Sequence, residues 1–139
     1  MDDTYRPTVD DQSDLAATWS HLMGPGGFDG RSTWMLRIDE DRRAIPMVTE
    51  ITECDEAPDP AFTDGLAAVL SALHEEAPGS TFAFLVSRPG RGVHESDRMW
   101  ARFVHEAGRR AGVRLEMTHL ATDAGVVPLP PDELIQRSA

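Results

Sequence analysis

The run TFAFLV, residues 81–86, is the most constraining stretch of this chain. It is short, almost wholly apolar, and leads straight into Pro89 and Gly90. A run of that length and composition reads as a strand buried on both faces rather than as an alternating surface strand. Such a strand needs a covering layer on each side, and the flanking sequence contains candidates. Phe62, Leu66, Val69, Leu70 and Leu73 recur at helical spacing and predict one apolar helix stripe ending near EEAPG. Trp100, Phe103, Val104, Ala107, Gly108 and Ala111 predict a second stripe after the loop.

The rest of the chain fits around this centre. SDLAATWSHLMG predicts a short helix with Ser13 as N-cap and Leu15, Trp19 and Leu22 on one face. TWMLRID and AIPMVTEI each alternate about the turn DEDR and predict a hairpin. Pro46 lacks a backbone donor, so the second strand is expected at a sheet edge or bulged. VRLEMTHL predicts a further alternating strand, TDAG a turn and VVPL a last short strand. The expected order is helix, hairpin, helix, strand, helix, strand, strand. That order predicts an α/β fold of two or three layers, with a mixed sheet flanked by helices. Residues 1–12 lack periodicity and are expected to be mobile, with 13–139 forming a single domain.

Charge narrows the function classes. A net charge of −11 argues against a nucleic-acid binder. It is unevenly spread: residues 85–114 hold seven arginines (88, 91, 98, 102, 109, 110 and 114) against Glu95, Asp97 and Glu106. Arg98, Arg102, Arg109 and Arg110 form a candidate interaction surface for an acidic partner, against the plainer reading of a solvated helix face. All 13 cations are arginine, which removes lysine Schiff-base chemistry. No apolar run approaches the roughly 20 residues of a membrane-spanning helix, so no membrane partner is expected. MDDTYRPTVDDQ does not read as a secretory signal, and Cys54 is the only cysteine, so a cytoplasmic setting is the expectation. Cys54 lies in an acidic loop that disfavours its thiolate. GPGGFDG lacks the Lys-Ser/Thr and the strand-to-helix context of a phosphate loop.

The stretch VSRPGRGVHESDRMW carries the only candidate site. His94, Ser96 and Asp97 invite a catalytic reading, but near neighbours in sequence rarely face one another as triad members do. The plainer expectation is a helix start, with His94 or Ser96 near the cap and Asp97 in the first turn. His119 is expected as a hydrogen-bonded histidine at the core's edge, and His105 at the surface.

Read as a unit, residues 35–129 resemble a RadC-type member of the JAB/MPN metalloprotease superfamily, of deaminase-like architecture. The likeness lies in WMLRIDEDRRAIPM, FTDGLAAVLSALHEEA, TFAFLVSRPGRG, DRMWARFVHEAGRRAG and VRLEMTHLATDAGVVPL, taken in order. The resemblance implies a zinc site of two histidines and an aspartate, with a glutamate from an earlier strand activating water. Carried over, Asp97 matches the aspartate and Pro89 the proline after the histidines. The histidine positions fall on Val86 and Arg88, the serine position near His94, and the glutamate position near Arg31 or Ser32. Valine and arginine cannot bind zinc. The expectation is therefore a vestigial site of Arg88, His94, Ser96 and Asp97, with Arg88 paired to Asp97 in place of an ion. No cofactor is implied, and the partner is another protein or a second copy of the chain. The competing expectation is a metal-dependent hydrolase using Asp97 with His94 or His119.

Overall fold

The fold comes from a computed structural model that describes residues 7–23, 31–53 and 60–129. Helix α1 spans Gln12–Met23, strands β1 and β2 span Ser32–Ile38 and Ala44–Glu53, and helix α2 spans Pro60–Glu76. Strand β3 covers Thr81–Ser87, α3 Glu95–Ala111, β4 His119–Thr122 and β5 Gly125–Pro128. The sheet order is β2-β1-β3-β4-β5, with β3 parallel to β4 and every other pair antiparallel. The strand expected at the centre is at the centre, and each of its residues is buried.

Alternation along β3 explains why both faces are covered. Phe82 and Phe84 join Met35, Leu66, Leu70, Val104 and Ala107 in the cluster beneath α2 and α3. Ala83 and Leu85 point the other way and pack with Leu36, Ile38, Leu15 and Trp19 beneath α1. The molecule is thus three layers, α1 over one face and α2 with α3 over the other. Val86, Trp100, Ala101, Leu120 and Leu129 close the end of the sheet where β3 runs into its loop.

Several local expectations need correction. Asp11, not Ser13, caps α1: its Oδ1 accepts the Asp14 backbone N–H at 2.9 Å. Residues 7–11 are docked rather than loose. Val9 is buried, and its N–H donates to the Arg42 carbonyl at 2.7 Å. Val69 lies off the apolar stripe and is 46% exposed. The strand expected from Val113 shrinks to β4. Leu115 bridges Phe82, but His119 pairs with Leu85, so one extra residue interrupts the parallel ladder between them. Pro46 sits where expected. β2 is an edge strand, and its pairing with β1 slips by two residues between Val48 and Ala44. GPGGFDG, Cys54 and residues 1–6 lie outside the described residues.

Candidate functional site

The β1–β3 register builds the site. Ser32 faces Ser87 across the antiparallel ladder, so Arg31 and Arg88 leave the sheet side by side. Two cations on neighbouring strands repel one another unless an anion lies between them. The helix after the loop supplies that anion. Asp97 stands in the first turn of α3, is fully buried, and faces both guanidinium groups.

The bonding is dense. Arg88 Nε donates to Asp97 Oδ1 at 2.9 Å and to Oδ2 at 3.1 Å, and Arg88 Nη2 donates to Oδ2 at 2.8 Å. Arg31 Nη2 donates to Oδ1 at 3.1 Å and to Ser96 Oγ at 2.8 Å. The His94 backbone N–H donates to Oδ2 at 2.7 Å, the half of a capping box that fixes the start of α3. Burial alone would raise the Asp97 carboxyl. The hydrogen bonds from Arg88 and the His94 backbone, with the charges of Arg88 and Arg31, outweigh it and hold the group below the ordinary aspartate range.

Arg88 also shapes the loop. Its Nη1 donates to the Pro89 carbonyl at 2.9 Å, and its Nη2 donates to the Gly92 carbonyl. The chain can wrap one side chain this tightly because Gly90 and Gly92 take φ of 91° and 80°, where a Cβ would be strained. Asp123 ties the loop down from the β4–β5 turn. It accepts the Gly90 N–H at 2.9 Å on Oδ2, and its own N–H donates to the Gly90 carbonyl at 3.0 Å.

The structure therefore brings Arg88, Ser96 and Asp97 together and adds Arg31. It leaves His94 at the exposed N-cap, contributing its backbone. His119 belongs elsewhere, on β4, with Nε2 2.9 Å from Gln12 Oε1 and Nδ1 3.2 Å from the Met117 carbonyl. Its burial favours the neutral ring and lowers its pKa against the opposing pull of those two contacts. His105 is half-buried rather than at the surface, with Nε2 3.0 Å from Thr118 Oγ1.

This donor set does not suit a divalent cation. Both Asp97 oxygens already accept from permanent cations, and a metal ion there would sit against two guanidinium groups. No group of three or more His, Cys, Asp or Glu side chains able to hold a metal occurs among the described residues. Serine nucleophile chemistry is equally ill served, since Ser96 Oγ faces Arg31 rather than a base.

Of the arginine surface, Arg109 Nε and Arg110 Nε each donate to Glu106 at 3.0 Å, and Arg110 also bridges to Asp64 on α2. Here the plainer reading of a solvated helix face accounts for part of the pattern. Arg102 is exposed and Arg98 half-buried. No helix among the described residues is long and apolar enough to cross a membrane. In comparison with known proteins, the chain matches no family model and no curated sequence.

Proposed function

We propose that this chain is a non-catalytic α/β domain that retains a JAB/MPN-like, RadC-like scaffold and serves protein interaction, with another protein or with a second copy of itself. The observation that supports the reading is the saturation of Asp97. Its two oxygens accept from Arg88, Arg31 and the His94 N–H, with no lone pair left facing open solvent. In the motif comparison above, Arg88 stands at a metal-ligand position and Arg31 near the water-activating glutamate. Both positions carry a fixed cation, which replaces the electrostatic role of an ion and removes its Lewis acidity. A single cysteine fits a reducing, cytoplasmic setting.

The test is metal analysis of protein purified without chelator, beside the Asp97→Ala variant. The expected result is no stoichiometric zinc in either. Stoichiometric zinc in the parent that vanishes in Asp97→Ala overturns the reading in favour of a hydrolase with an unusual ligand set.

A further inference from the structure

The proposed role leaves open which surface binds and what it binds. Along α3, Arg98, Arg102, Glu106 and Arg110 follow one another at four-residue spacing and so form one ridge. Beside this ridge lies a groove of about 410 Å³ lined by Thr63 of α2 and by Arg102, Phe103, Glu106 and Arg110 of α3. Phe103 gives the groove an aromatic wall, while Arg102 and Arg110 supply its cationic rim.

The charges along this groove are not equally committed. Glu106 is taken up by Arg109 and Arg110, and Asp64 by Arg110. Arg102 is exposed and makes no hydrogen bond or ion pair with another described residue. The side chain of Arg109 is 74% exposed and that of Arg110 47%, so both can turn to a competing carboxylate. An exposed cation beside an aromatic wall suits a carboxylate that follows an apolar side chain.

Scale decides between acidic partners. Screening cuts interactions off beyond about 8 Å at physiological ionic strength. A short acidic segment seated in the groove responds to the local arginines. A long polyanion extends past them and meets a molecule of net charge −11. A second copy docked face to face on the same ridge would bring three more arginines against one more glutamate, since a two-fold interface repeats one patch on both sides, so like charge would gather there.

We infer that the α2–α3 groove is a docking site for an acidic segment of a partner protein, with an apolar side chain of that segment against Phe103 and its carboxylates on Arg102 and Arg110. This inference rests on the interaction role proposed above. The test is fluorescence anisotropy with a labelled peptide of about 12 residues, in which Glu and Asp flank a central Leu. The expected result is saturable binding at low salt that weakens several-fold as salt rises to about 0.3 M. Arg102→Glu is expected to weaken binding about tenfold or more. Arg43→Glu makes the same charge change on the exposed hairpin turn and is expected to leave binding within about twofold, which separates local from overall charge. No binding of the peptide, equal loss in both variants, or equally tight binding of a thymidine oligonucleotide overturns the inference. A failure of the non-catalytic reading shows separately, as zinc bound through Asp97, which Arg102→Glu leaves untouched.

Discussion

Replacing Arg88 with alanine is the most direct test of the buried charge cluster. The substitution removes an Nε–H shared by both Asp97 oxygens and an Nη2–H on Oδ2. It also removes the donors to the Pro89 and Gly92 carbonyls. Breaking one side of a buried ion pair typically costs about 3–5 kcal/mol, because the partner's charge is left without compensation. Here Arg31 and the His94 N–H still hold the carboxylate, and the loop carbonyls lie at the exposed surface. The expected loss is therefore smaller, about 2–3 kcal/mol, the range of one or two charge-assisted hydrogen bonds. With a urea dependence near 1.5 kcal/mol/M, the unfolding midpoint should fall by roughly 1–2 M. The third charge also shapes the double-mutant cycle. Arg88→Met with Asp97→Asn also removes the carboxylate charge that Arg31 Nη2 bonds, so the double variant should be no more stable than Arg88→Met alone. It should still cost less than the sum of the single changes, with a coupling of about 1 kcal/mol or more. The measurement is equilibrium urea unfolding of Arg88→Ala and of the four proteins of the cycle. A coupling within about 0.3 kcal/mol of zero would show that the two side chains do not support one another, and the cluster argument would fall.

Three further outcomes are expected. The Asp97 pKa is lowered by folding, so its contribution to stability is fully present above the unfolded value of about 3.9 and is lost as pH falls through the folded value. The stability gap between the parent and Asp97→Asn should hold steady from about pH 8 to 5 and close only below about pH 4; a gap that closes near neutral pH would contradict this. Gly108→Ala should destabilise by about 1–3 kcal/mol despite alanine's better helix propensity, because the new Cβ would come within 2.7 Å of Leu115 Cδ1; equal or greater stability in thermal unfolding would refute the contact. Arg42→Ala should cost about 1–2 kcal/mol and speed amide exchange at Val9, since Arg42 bonds Glu116 Oε2 at 2.8 Å and the Val9 carbonyl at 3.0 Å; unchanged exchange there would show that the segment is held by other contacts.

The sequence carried the layer order because hydrophobic period is a local property. The apolar run at 81–86 and the stripes of α2 and α3 each state which faces need cover, and β3 indeed lies at the centre of the sheet. The Arg88–Asp97 pair was expected from the family resemblance, which set both residues at metal-ligand positions, and the structure holds it at short range. The two residues are nine positions apart, joined by a Pro-Gly loop, and a helix start favours an aspartate in its first turn. Pro46 announced an edge strand simply by lacking a donor.

Residues 7–11 and Arg31 show where sequence reasoning stops. The first look unstructured because no period runs through them. They are held by Arg42, whose backbone and side chain bond Val9 from across the hairpin turn. Arg31 reaches Asp97 from 66 positions away. Nothing local marks it, because its place beside Arg88 follows from the register of β1 on β3, and register is fixed by how both strands bury their faces in the assembled core. Propensity and period thus determined which elements form and which faces they bury. Only the packed sheet decided that two arginines emerge together, and that one buried carboxylate must answer both.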